Sequence, residues 1–224
     1  MKRSMKISVD LDFDPWEVYR TLAPELKTHC ENVARYTRSL YELSMIAGLF
    51  NGRLSKQQLK YVESAVKLHD IGKSVYEDSL LNKKGPLDME ERRMIQCHVE
   101  IGMMIVENCK KYDRADAHKE SEVLLPLLRE AVAQHHEKYD GTGYPMRLKG
   151  NDISPLGQLC GICDVFDAMT SDRSYHKAMS RDKVIAYLIS EKGKHFNPDL
   201  VDLFVKNQAY FVSCGSRCEI CTTA

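Results

Sequence analysis

The sequence predicts an all-α fold, and three observations carry that expectation. From Asp14 onward apolar residues recur with a helical period, helix-capping patterns open several of these stretches, and only one segment alternates as a strand would. In that segment Ile7, Val9, Leu11 and Phe13 alternate with Ser8, Asp10 and Asp12, which reads as one short half-buried strand, too little for a sheet-based domain. Asp14-Pro15-Trp16-Glu17 then offers an N-cap, a proline at the first helical position and a capping glutamate. The amphipathic stretch that follows runs to about Gly48, with Pro24 breaking or bending it into two helices.

Ser55-x-x-Gln58 opens a further helical stretch that runs into His69, and Asp88-x-x-Glu91 opens another that carries His98. Val123 to Tyr139 reads as a helix, Asp140 to Ser154 as a Gly/Pro-rich loop and Pro155 to Thr170 as a helix. Ser180 to Lys192 and Pro198 to Gln208 complete the set. The charged, small-residue stretch Lys110 to Ser121 and the tail from about Ser213 lack an apolar period and are expected outside the core. The expected organisation is an N-terminal strand and extension at 1–14, one helical bundle at 15–210 and an irregular Cys-rich tail at 211–224.

Composition narrows the function. The chain has 224 residues, 43% hydrophobic and 29% charged, as ordinary globular proteins have. Its 32 Lys+Arg balance 32 Asp+Glu, which argues against polymeric nucleic acid as a partner and leaves a small phosphorylated ligand open. No apolar stretch follows the few N-terminal charges, and nowhere does the chain approach the ~18 apolar residues a membrane span needs, so a cytoplasmic protein is expected. The eight cysteines are expected reduced. Cys160 and Cys163 read as small apolar residues of a buried helix, and the Cys214, Cys218 and Cys221 spacing as free thiols ahead of an iron-sulfur ligand set.

The histidines carry the chemistry. His29, His69, His98, His135 and His136 sit on or at the ends of expected helices, and Asp70 follows one of them directly. Neutral imidazole and carboxylate are ligands for Fe, Mn, Zn, Co or Ni, and the lack of Cys in these motifs argues against a structural zinc site. Glu25 and His29 lie one turn apart on one helix face, a pair that alone is more often simply solvated. His69-Asp70-Ile71-Gly72-Lys73 is more specific, since an Asp beside a His can bridge two cations; a core His and a helix cap explain it less well once His98, His135 and His136 are counted. Asp164 and Asp167 lie on an apolar helix where an unpaired carboxylate is costly, so cations or donors are expected near them; an ion pair with Arg173 explains Asp167 equally well.

These residues resemble the HD-GYP family, a branch of the HD metal-dependent phosphohydrolases. The resemblance rests on His69-Asp70-Ile71-Gly72-Lys73, His98, His135-His136-Glu137 with Asp140-Gly141-Thr142-Gly143-Tyr144-Pro145, and Asp164 with Asp167 to Arg173, and it spans roughly Glu25 to Phe204. It implies an all-helical domain with two or three divalent metal ions, Fe or Mn, that hydrolyses cyclic di-GMP to pGpG, and in many members on to GMP, through a metal-activated hydroxide. His29, His69, Asp70, His98, His135, His136 and Asp164 match metal ligands, and Glu25 matches the extra carboxylate of the subgroup with three metals. Asp70 would bridge two ions, Lys73 would neutralise a phosphate oxygen, Arg173 would hold a phosphate as a fork, and Tyr144 and Asp167 would face the ligand. Where the family often has Arg-Pro-Tyr-Arg this chain has Arg173-Ser174-Tyr175-His176, so Lys177 is expected to substitute for the second basic residue. The rival readings are a 3′,3′-cyclic GMP-AMP phosphodiesterase and a non-catalytic module that docks a diguanylate cyclase (GGDEF) partner through the Gly-Tyr-Pro loop.

Overall fold

The structure, a computed structural model, describes residues 14–109, 118–172 and 177–211. The expected strand at 7–13, Arg173, and the cysteines of the tail lie outside the described residues. Among the described residues the architecture is helical, with no strand beyond an isolated bridge between Lys192 and Phe196.

The chain enters through α1 (Pro15–Thr21), capped as the sequence predicts by Asp14, whose side chain accepts from the Trp16 N–H. Leu22 and Ala23 interrupt the helix, and Pro24 starts the long α2 (Pro24–Ile46), which Gly48 ends in the left-handed region. Ser55 caps α3 (Lys56–Val66), and a short turn of helix, α4 (Asp78–Leu81), leads to α5 (Met89–Gln96), opened by a complete Asp88/Glu91 capping box. There follow α6 (His98–Glu107), α7 (His118–Gln134), α8 (Pro155–Thr170), α9 (Arg181–Ser190) and α10 (Pro198–Lys206). The centre of the bundle is α2, packed against α3 and α8, while α7 closes over α3, α6 and α8. Tyr36 and Leu40 of α2, Leu128 of α7 and Leu159 of α8 are almost wholly buried in one continuous core.

The boundaries differ from the sequence reading where tertiary contacts decide them. α3 stops at Val66, and tighter turns rather than a helix carry the chain to His69. The stretch expected to carry His98 is two helices, broken at Cys97 with no glycine or proline to signal it. α7 starts at His118, ahead of its first apolar repeat, and ends at Gln134, so Ser121, expected outside the core, is buried. The core also runs one residue past the expected domain end: Phe211 is buried and stacks on Phe204 with centroids 4.1 Å apart. Among the described residues no helix is long and apolar enough to cross a membrane.

Candidate metal centre

Five segments converge on one buried point. The turns after α3 aim His69 and Asp70 inward, with the His69 N–H donating to the Val66 carbonyl (3.0 Å) and the Ile71 N–H to that of Leu68 (3.1 Å). The 3-10 turn Ile71–Val75 then lies directly on α6. Gly72 permits that approach, because a Cβ there would stand 1.9 Å from the His98 carbonyl oxygen. Thus Asp70 meets His98 at the start of α6. The end of α7 delivers His135 and His136, α2 delivers His29, and α8 delivers Asp164 and Asp167 from adjacent turns.

Hydrogen bonds fix the tautomers. The Nδ1–H of His69 donates to Val66 O (2.8 Å), that of His98 to Ile95 O (2.6 Å) and that of His135 to Ala131 O (2.8 Å). His29 Nδ1–H donates instead to the buried carboxylate of Asp167, 2.6 Å away. Because carbonyl and carboxylate oxygens only accept here, each of these four rings, in its neutral form, turns an Nε2 lone pair inward. Those lone pairs face carboxylates. Asp70 Oδ1 lies 3.3 Å from His98 Nε2 and 3.7 Å from His135 Nε2, while its Oδ2 lies 3.6 Å from His69 Nε2 and 3.9 Å from His29 Nε2. Asp164 Oδ1 is 3.0 Å from His29 Nε2.

Lone pair facing lone pair at such distances is repulsive unless a cation lies between. Donors bound at about 2.1 Å around one ion stand roughly 3.0–3.4 Å apart, close to the spacings seen here. Two side-chain atoms make the case independently: His69 Nε2 and Asp70 Oδ1 are buried with no hydrogen-bond partner, a cost that a bound cation removes. The residues therefore fit divalent metal ions. Their donors form two sets, Asp70/His98/His135/His136 and His29/His69/Asp164, and the two oxygens of Asp70 face one set each.

The electrostatics agree. Burial by itself would raise the Asp70 pKa, but the Lys73 ammonium and the imidazoles around it prevail and hold the carboxyl well below its usual range. Asp164 behaves alike: burial opposes its charge, and the surrounding His29 and His69 imidazoles outweigh burial. Burial pushes His98 and His136 down, which keeps them neutral as ligands must be.

The other expected site residues spread around this centre. Lys73 Nζ is 2.5 Å from Asp70 Oδ2 and also lines a cavity of about 410 Å³ beside the cluster. Glu25 is exposed on the wall of the same cavity, one turn before His29, and belongs to neither converging donor set. Asp167, expected to face the ligand, is 1% exposed and engaged by His29 and by the Ser171 hydroxyl (3.2 Å). Tyr144, also expected there, stacks on the His136 ring at 4.8 Å. Lys177 is exposed.

Cys30 escaped the sequence reading, and Glu137 entered it only as part of a motif, without a role. Cys30 is fully buried, with its sulfur within 4.8 Å of donor atoms of His69 and Asp70; the cysteine follows His29 directly, but nothing in the motif spacing marks it. Glu137 is buried and accepts from the backbone N–H groups of Met146 (2.7 Å) and Leu148 (3.0 Å), pinning the Gly-Tyr-Pro loop. A glutamate directly after two ligands and before a Gly-rich loop was the available signal.

Comparison with known proteins fits this geometry. The HD domain family matches residues 20–200. The chain belongs to the HD-domain family. The HD-GYP motifs from His69 to Arg173 fall within the matched residues. A "3'3'-cGAMP-specific phosphodiesterase 2" of Vibrio cholerae is 35% identical over 84% of this chain and 33% of its own length. The "cyclic di-GMP phosphodiesterase response regulator RpfG" of Xanthomonas campestris is 33% identical over 79% of this chain and 44% of its own. This HD-GYP chain thus spans between a third and a half of the length of these curated relatives. Among solved structures, the HDG"Y"P protein Bd1817 of Bdellovibrio bacteriovorus superposes with a TM-score of 0.54 at 15% identity, over 79% of this chain and 51% of its own. That likeness supports the shared fold.

Proposed function

We propose that this chain is a metal-dependent cyclic-dinucleotide phosphodiesterase that opens cyclic di-GMP to linear pGpG, with GMP as the product of a second cleavage. The observation that carries the reading is Asp70: a buried carboxylate, 1% exposed, that turns one oxygen toward each of two converging donor sets. Divalent ions held there, Fe or Mn by the nitrogen and oxygen donors, would supply an activated water and positive charge to a phosphodiester.

The chain's own residues do the rest. His69, His98 and His135 are locked in the ligating tautomer by helix carbonyls, and His29 by Asp167. Lys73 reaches from Asp70 to the cavity wall, so its ammonium is placed to neutralise a non-bridging phosphate oxygen. Arg173 and Lys177 would serve as phosphate contacts, and Glu25, on the cavity wall beside His29, is the carboxylate a third ion would use. A docking module alone has no use for buried, unpartnered donors such as Asp70 Oδ1, which favours catalysis over pure binding. A diguanylate cyclase partner at the Gly143-Tyr144-Pro145 loop is compatible with catalysis, and Met146 beside it is 50% exposed.

The test is incubation of anaerobically purified, Mn- or Fe-loaded protein with cyclic di-GMP, with products resolved by chromatography and His69→Ala/Asp70→Ala as the control. Metal-dependent pGpG, absent in the control, supports the reading; no product from a fully loaded protein removes it. The second reading, 3′,3′-cyclic GMP-AMP as substrate, draws on the name of the 35% identical relative and is decided by running both dinucleotides side by side.

A further inference from the structure

We propose that Tyr144 is a positioning residue of the metal centre: its ring holds His136 in the ligating orientation, so the Gly-Tyr-Pro loop sets the affinity of the ion held by Asp70, His98, His135 and His136. The inference rests on reading the cluster as a metal centre and adds to it an unequal division of labour between the two donor sets.

The inequality shows in how each imidazole is oriented. His29, His69, His98 and His135 each spend Nδ1–H on an oxygen that fixes the ring. Among the described residues no such bond holds the His136 ring. Ring contacts hold it instead: the fellow donors His135 at 4.1 Å and His98 at 5.0 Å, and Tyr144 at 4.8 Å with only 22° between planes. A stacked ring blocks rotation about χ2 without supplying a hydrogen bond, so Tyr144 does for His136 what a carbonyl does for the others.

The loop is built to keep Tyr144 there. The Tyr144 N–H donates to the carbonyl of His136 itself (3.2 Å), closing a tight turn back onto the ligand. Gly143 allows the turn, since a Cβ at that position would fall 2.3 Å from Lys138 N and 2.6 Å from His136 O. Glu137 then clamps the far side through Met146 and Leu148. Ligand, clamp and stacking ring therefore form one unit, and any displacement of the loop moves His136 while leaving His29, His69 and Asp164 in place.

The experiment is titration of metal-free protein with Mn2+ alone, by calorimetry and by counting ions per chain after gel filtration. It needs no turnover. Wild type and Tyr144→Phe, which keeps the stack, are expected to bind two ions with equal affinities. Tyr144→Leu is expected to weaken one ion by roughly 10- to 100-fold and spare the other. His136→Ala should weaken the same ion, and combining it with Tyr144→Leu should cost nothing more, since the tyrosine acts through the histidine. Undiminished affinity for both ions in Tyr144→Leu, or an additive loss in the double variant, overturns the proposal. Wild-type protein that binds no Mn2+ overturns the metal-centre reading and this inference with it, whereas two tightly bound ions without cyclic di-GMP turnover remove the substrate reading alone.

Discussion

Asp167 takes a hydrogen bond from the outer nitrogen of one ligand, His29, and the two are 2.6 Å apart inside the bundle. Asp167→Asn keeps the shape and leaves an oxygen able to accept from Nδ1–H, but removes the charge. A hydrogen bond to a charged group contributes about 1.5–3 kcal/mol against about 0.5–1.5 for a neutral pair, so the substitution should cost about 1–1.5 kcal/mol. The negative charge also raises the basicity of His29 Nε2, the atom that faces Asp164 at 3.0 Å. Affinity for the ion at His29, His69 and Asp164 should therefore fall about tenfold, while the ion at Asp70, His98, His135 and His136 is kept. Asp167→Ala, which strands the buried Nδ1–H, should lose more, toward the upper end of a 10- to 100-fold range. Calorimetric titration with Mn2+ reads both sites, and thermal unfolding of the metal-free variants checks that the fold is intact. Equal losses at both sites, or none at either in the Ala variant, would refute the assignment of Asp167 as the orienting partner of His29.

In protein loaded to the wild-type ion content, Lys73→Ala should lower turnover by roughly 10²-fold, because the ammonium that faces the cavity no longer neutralises a phosphate oxygen; product formation by chromatography and metal analysis on one preparation decide it. Gly72→Ala should destabilise by about 1–3 kcal/mol or more, seen as a lowered unfolding midpoint in urea, since its methyl would overlap the His98 carbonyl oxygen. His195 is pulled down to about 4, first by burial and then by Lys138. Its neutral form is thus favoured in the folded state, so its contribution is complete above pH 6.5 and is lost as the pH falls from 6.5 toward 4. The urea midpoint of His195→Gln should consequently fall less than that of wild type between pH 7 and pH 5; parallel losses would contradict the shift. Cys160 and Cys163 are fully buried with their thiols pushed up by that burial, so neither should react with a thiol reagent until the protein unfolds.

What could be read in advance divides along a physical line. The starts of α1, α3, α5 and α8 were legible because caps are local: Asp14, Ser55, Asp88 and Ser154 each accept from backbone N–H groups within three residues. Helix ends were less so, since the breaks at Val66 and Gln134 serve the site, where His69, Asp70, His135 and His136 must leave the helix path to face one another. No local residue signals that requirement; it is imposed by segments more than sixty positions apart in the chain. The ligands themselves were visible as residue types in an ordered pattern. The shell behind them was not, because Asp167 and Glu137 act through partners fixed only by folding: a histidine 138 positions upstream in one case, and two backbone N–H groups beyond a glycine turn in the other. Asp167 shows the difference most plainly. Its place on an apolar helix marked it as a carboxylate in need of a partner, and sequence alone offered the nearby Arg173 or the ligand, whereas the bundle brings it to His29. A buried carboxylate declares that it has a partner, and only the packing of α2 against α8 says which.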